Sequence, residues 1–167
     1  VSFDSADEII ARSIGRIDRK GNWISAIALA HISSTYKQWN PDGFFKVNTV
    51  VNEFNYSENL TQAIVNASPD KWKILRVLPV HNHIKPITNA QFDEYVQRHS
   101  NLKHLAVIED NSDMTASYLM INPMGCFYQN GESHSGYSTS APILKVGVAR
   151  ALEQVTFNIN TFLQRYA

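Results

Sequence analysis

Apolar and polar residues alternate along two stretches of the chain, and the elements between them are read from that alternation. In residues 43–55, GFFKVNTVVNEFN, a strand would point successive side chains to opposite faces. Lys46, Asn48, Val50 and Asn52 then share one face, and Val47, Thr49 and Val51 the other. Residues 71–78 repeat the pattern, with Lys71, Lys73, Leu75 and Val77 opposite Trp72 and Ile74. In both stretches one face is apolar, while the other carries cations and an amide. As neighbours, the two strands would bring these polar groups together.

The remaining periodicities predict an α/β order. Residues 1–5 read as a short strand and 6–16 as a helix that Gly15 ends. Asn22 is the expected N-cap of a longer helix over 23–37, which stops before the breakers Asn40, Pro41, Asp42 and Gly43. Leu60, Ala63, Ile64 and Ala67 have helical spacing in residues 58–67, and Ser68, Pro69 and Asp70 end that helix. A loop through residues 81–86 follows the second strand. Thr88 and Gln91 form the pattern of a capping box, opening a helix to residue 100 with Phe92, Tyr95, Val96 and His99 on one face. Residues 102–109 read as another strand. Strands alternating with helices predict parallel strands joined by right-handed crossovers. The pattern then changes: residues 115–121 and 126–129 read as short strands around a turn at 122–125, and residues 131–141 as a polar loop. Leu144, Val148, Ala151, Leu152 and Val155 predict a final amphipathic helix running across Gly147, and signals after Thr156 are weak.

Composition narrows the classes. With 167 residues, 44% hydrophobic and 18% charged, the chain can bury an ordinary globular core. Fifteen acidic and fifteen basic side chains give a formal net charge of zero, so no global field draws nucleic acid polymers or an anionic membrane. No apolar run approaches the roughly 20 residues that span a bilayer. A soluble cytoplasmic protein is expected. The one cysteine, Cys126, excludes an intramolecular disulfide and fits a reducing compartment.

Three lysines on adjacent strands, Lys46, Lys71 and Lys73, suit a triphosphate, because each ammonium donates to phosphate oxygens. The alternative for them is a solvated strand edge. Asn48 both donates and accepts, as recognition of a sugar hydroxyl requires, or it ties down a loop. His81 and His83 form an H-x-H pair without an evident third metal ligand, and Cys126 lacks a paired base. Neither a GxGxxG nor a P-loop signature occurs.

Residues 45–52 (FKVNTVVN), 69–73 (PDKWK) and 117–121 (SYLMI) resemble the carboxy-terminal half of viperin-type radical S-adenosylmethionine (SAM) enzymes. The likeness runs from residues 1–5 to 162–163. It implies a partial (βα)6 TIM-like barrel fragment over residues 1–110 and a carboxy-terminal extension, with a β-hairpin and helix, over 111–167. It implies a parent that uses SAM and a 4Fe-4S cluster to convert a nucleoside triphosphate to a dideoxy-didehydro nucleotide in antiviral defence. Ser2, Arg16 and Asn48 match cofactor-binding positions. Lys46, Asn48, Lys71 and Lys73 match substrate-binding positions, with Lys71 where the family carries arginine. The family's CxxxCxxC motif cannot occur in a chain with one cysteine. Together with the opening Val1-Ser2-Phe3, this predicts a fragment that begins inside an element, with the family's membrane-association segment upstream. Such a fragment is expected to be inactive, to hold no cofactor and to self-associate through exposed barrel faces. The competing expectation is a non-catalytic α/β module that binds an anion or a partner.

Overall fold

The computed structural model describes residues 1–78, 84–130 and 137–166, and the chain divides into two compact units. The first comprises Val1–Val77 and Ile84–Glu109; the second is built around residues 110–166.

Three parallel strands organise the first unit: β1 (Lys46–Val51), β2 (Lys71–Arg76) and β3 (Ala106–Glu109), in that spatial order. Lys46 stands opposite Lys71 and Asn48 opposite Lys73; Lys73 in turn faces Val107, and Leu75 faces Glu109. Residues 1–3 extend the sheet beyond β1. A parallel bridge joins Ser2 to Asn48, with Phe3 N donating to Asn48 O at 2.8 Å and Asn48 N to Val1 O at 2.8 Å. Helices fill each connection: α1 (Glu8–Ser13) and α2 (Ala26–Trp39) before β1, α3 (Thr61–Ala67) before β2, and α4 (Asn89–Arg98) before β3. Among the described residues the sheet remains open, and no barrel closes.

The alternation of β1 and β2 has its expected consequence. Val47, Thr49 and Val51, with Trp72 and Ile74, lie in a buried core with Leu29, Leu60, Ile64, Phe92 and Tyr95. Each large apolar side chain buried there contributes about 1.5–3 kcal/mol relative to leaving it exposed. The opposite face retains Lys46, Asn48, Lys71 and Lys73 and is only partly covered.

Helix ends depart from the periodicity in instructive places. α1 is shorter than residues 6–16 because Asp7 caps it, its Oδ1 accepting from Ile9 N at 2.7 Å and Ile10 N at 3.0 Å. Gly15 does end it, with φ +73°, and the donations Gly15 N to Arg12 O and Arg16 N to Ala11 O close a Schellman turn. Asn22 does not cap α2. Its backbone and side chain both donate to the Asp18 carboxylate, at 2.8 and 2.9 Å, and Ser25 is the cap instead. The Thr88–Gln91 capping box is present as predicted, although α4 stops at Arg98 and a 3₁₀ turn over Ser100–Leu102 precedes a β3 shorter than residues 102–109. His81 and His83 lie outside the described residues.

The second unit carries a short helix α5 (Asn111–Met114) and an antiparallel sheet of β4 (Met120–Ile121), β5 (Cys126–Asn130) and β6 (Tyr137–Pro142), in the order β4-β5-β6. Residues 137–142 therefore pair as a strand where composition predicted loop. Serine and threonine favour turns locally, but backbone pairing with β5 is non-local information. The expected helix across Gly147 is broken there into α6 (Ile143–Val146) and α7 (Val148–Leu152), since Gly147 has φ +83°. A further helix, α8 (Ile159–Tyr166), follows where the sequence signal is weak.

One buried histidine makes the first unit sensitive to acid. His99 is 1% exposed, packs edge-on to Trp72 and accepts from Leu60 N through Nε2 at 2.9 Å. Nδ1 lies 2.8 Å from Tyr95 O, so the proton of the neutral ring sits on Nδ1. Burial holds its pKa below the ordinary histidine value. The unfolded chain therefore binds the proton first, and the stability this group contributes is complete above about pH 6.5 and is lost as pH falls. The unfolding free energy from urea titrations should drop between pH 7.5 and 5.5, by at most about 1.4 kcal/mol per pH unit from this group. His99→Gln should remove that part of the slope; an unchanged slope would exclude His99 as its source.

Candidate functional site

The polar face of the first sheet is ordered in rows by the strand register. Lys46 and Lys71 form the first row; Ser2, Asn48 and Lys73 form the second, with Val107 beyond; Val50, Leu75 and Glu109 form the third. Rows lie about 6.6 Å apart along the strands, and neighbours within a row about 4.8 Å apart. Four of the substrate or cofactor residues expected from sequence, Lys46, Asn48, Lys71 and Lys73, thus share one face, and Ser2 adjoins Asn48 across the outer strand.

Each member is held differently. Lys46 is exposed and Lys71 half-buried. Lys73 is ion-paired with Glu109, their side chains being 17% and 6% exposed. Asn48 leaves its Oδ1 buried and without a hydrogen-bond partner. A buried carbonyl oxygen with no donor costs about 1–3 kcal/mol, so the site asks for an O–H or N–H group at this point.

Arg16 reaches the site from another direction. The Schellman turn that ends α1 returns the chain toward the strand segment, where Arg16 Nε is ion-paired with Asp4 Oδ2. The Asp4 side chain is 2% exposed and its other oxygen accepts from Val50 N at 2.7 Å; Arg16 keeps 47% of its surface. Ser2, Asp4, Gly15 and Arg16 line a cleft of about 450 Å³ together with Trp23 and Ile24. Ser2 therefore belongs both to this cleft and to the row that holds Asn48 and Lys73. A second cleft, of about 340 Å³, is lined by Lys46, Tyr36 and Phe44.

Two carboxylates central to this arrangement, Asp4 and Glu109, are absent from the residues singled out by sequence. Both lie on the predicted strands in phase with the polar face, two residues from Ser2 and Val107 respectively, and that phase is the available signal. Cys126 is buried in β5 of the second unit. Among the described residues no group of three His, Cys, Asp or Glu side chains is placed to hold a metal ion. One cysteine cannot supply the three thiolates of a 4Fe-4S site, so the residues present do not fit that cluster. Ser2, Arg16 and the cleft they line do fit a ligand with hydroxyl and carboxylate groups.

No family model matches the chain. It is 48% identical over 166 residues, 99% of its length, to an S-adenosylmethionine-dependent nucleotide dehydratase of Pseudoalteromonas ulvae, and 39% identical over 165 residues to one of Psychrobacter lutiphocae. A protein with the same activity in its name from Oncorhynchus mykiss is 30% identical over 177 residues. These matches cover 54%, 55% and 49% of the respective relatives, so the chain spans about half the length of the curated relatives it matches.

The Asp4 contacts generate a stability prediction. Asp4→Ala orphans the Val50 N–H and frees Arg16, which can turn to water through its exposed half. The cost should be about 2 kcal/mol, mostly from the unpaired amide. Chemical denaturation measures it, and a change below about 0.5 kcal/mol, the scale of an ordinary surface substitution, would show that Asp4 does not anchor the strand.

Proposed function

We propose, from the premise that this chain belongs with the viperin-like S-adenosylmethionine-dependent nucleotide dehydratases, that its polar sheet face binds a nucleoside triphosphate and the adjoining cleft binds SAM. The observation that carries this reading is the row Ser2–Asn48–Lys73 beside the row Lys46–Lys71, with the orphaned Asn48 Oδ1 between cleft and lysines.

In this reading the ammonium groups of Lys46 and Lys71, which have no ion-pair partner among the described residues, donate to phosphate oxygens. Asn48 Oδ1 accepts from a sugar hydroxyl, which satisfies the buried oxygen. Ser2 and Arg16 hold the hydroxyl and carboxylate ends of SAM, and Asp4 keeps the guanidinium turned toward the cleft. SAM held by Ser2 and Arg16 would supply the radical chemistry; this chain's share is to bind and orient SAM and the nucleotide. The first unit is then one part of a (βα)6-type partial barrel and residues 111–167 its carboxy-terminal extension. The complete enzyme acts in the cytoplasm, and its dideoxy-didehydro product serves antiviral defence. The chain by itself is inactive, because the cluster ligands must come from outside it.

In a protein of the relatives' full length that carries this chain, Lys46→Ala and Lys71→Ala should each weaken nucleoside triphosphate binding by about 1.5–3 kcal/mol, the range for a hydrogen bond to a charged group. SAM affinity should stay unchanged. Lys71→Arg should preserve or tighten binding by restoring a two-pronged donor. Equal nucleotide affinity in wild type and the Lys46/Lys71 double alanine variant, by calorimetry, refutes the phosphate role and favours a non-catalytic module.

The chain alone should acquire no cluster absorbance on anaerobic reconstitution, and should not cleave SAM. It should also self-associate, since Val1 and Ile108, at the two sides of the sheet, are 41% and 44% exposed. Stoichiometric cluster binding, or a monomer at high concentration in sedimentation, would contradict these two expectations respectively.

A further inference from the structure

The Lys73–Glu109 pair is a diagonal contact: Lys73 stands opposite Val107, and Glu109 is two residues further along β3, opposite Leu75. A lysine on a sheet face normally extends its ammonium toward water. Here a carboxylate 6% exposed draws it instead along the strands, toward their carboxy-terminal ends, where open α/β sheets take their ligands. The pair has little to offer as stability. Taking both charges out of water offsets their attraction, and apolar residues of similar volume commonly serve as well or better. A position for the ammonium is what the pair does provide. By register Lys73 already stands one row, roughly 6.6 Å, beyond the Lys46–Lys71 row, and the pair turns its ammonium further away toward the Glu109 row, so that the cations form two stations along the face.

We propose that Glu109 is a positioning residue for nucleotide binding, which holds the Lys73 ammonium at the carboxy-terminal end of the sheet so that it meets the polyphosphate at a station separate from Lys46 and Lys71. The proposal rests on the nucleotide reading of this face. It also has a sign that charge alone would reverse. Removing a carboxylate makes the face more positive and, on charge alone, tightens an anion; loss of a position weakens it.

The test uses a protein of the relatives' full length and calorimetry with ATP, CTP, GTP and UTP as probes, taking whichever binds the wild type. Glu109→Gln should weaken that triphosphate about 5- to 20-fold, a fraction of what a lost charged hydrogen bond costs. SAM affinity should stay within about twofold, which a general loss of structure would not allow. Glu109→Asp keeps the charge but shortens the reach, and should weaken binding in the same direction; it decides the matter if Glu109→Gln fails to fold. In a Lys73→Met background Glu109→Gln should add no further loss, because Glu109 acts through Lys73. Tighter or unchanged triphosphate binding in Glu109→Gln, while Lys46→Ala still weakens it, overturns this inference and leaves the nucleotide reading standing. If the Lys46/Lys71 double alanine variant binds as wild type does, both fall together.

Discussion

A single threonine hydroxyl sets the register on which the site depends. Thr49 Oγ1, on the apolar face of β1, donates to Phe3 O at 2.7 Å and accepts from Trp72 Nε1 at 2.9 Å, in full burial. Three adjacent strands are thereby joined through one atom in the core. Both hydrogen bonds are shielded from water, where an unmet partner would cost about 1–3 kcal/mol, so a slip of β1 by one residue is penalised twice and a slip of either neighbour once. On the opposite face the same register places Ser2 beside Asn48 and Asn48 beside Lys73. The polar arrangement thus inherits its order from the apolar side of the sheet.

Two asparagines extend this locking beyond the end of β1. Asn55 Nδ2 donates to Asp4 O at 2.6 Å and to Val50 O at 3.0 Å, while its Oδ1 accepts from Asn52 N at 2.7 Å. The backbone leaving the strand is therefore satisfied by side chains of its own turn, while the Val50 N–H donates to Asp4. Asp4 in turn reaches Arg16, so the position of an arginine after α1 follows from a turn after β1. Core, turn and cleft form one chain of contacts within the first unit.

What was legible in the sequence follows the range of the interactions that produce it. The two faces of β1 and β2, the capping box at Thr88 and the turn at Gly15 are set by neighbours within a few residues, and each reads directly from spacing. The Asn22 cap was misread because Asp18 competes for the same amide, and two capping residues within a few positions are equivalent until the loop closes. β6 depends on pairing with β5, which no local pattern encodes, whereas the break at Gly147 comes from a glycine at φ +83° that apolar spacing alone overlooks. For the site, the lysines and Asn48 stand out by type on an alternating strand. Asp4 and Glu109 do not, because a carboxylate near a strand end is common, and its partner is fixed only once the register is known.

The charges on this face are also tolerable for different reasons, and the difference bears on what each can bind. An ammonium in a parallel sheet needs water or a partner. Lys46 retains water at the start of β1 and can exchange it for an anion without losing a protein contact. Lys73 has less water and a carboxylate, so an incoming phosphate must share it with Glu109 rather than replace solvent. An ammonium has three donors, which makes sharing possible geometrically. The result is a face with a solvent-exposed ammonium at one end and an ion-paired one further along, and Asn48 and Ser2 share the row of the ion-paired lysine.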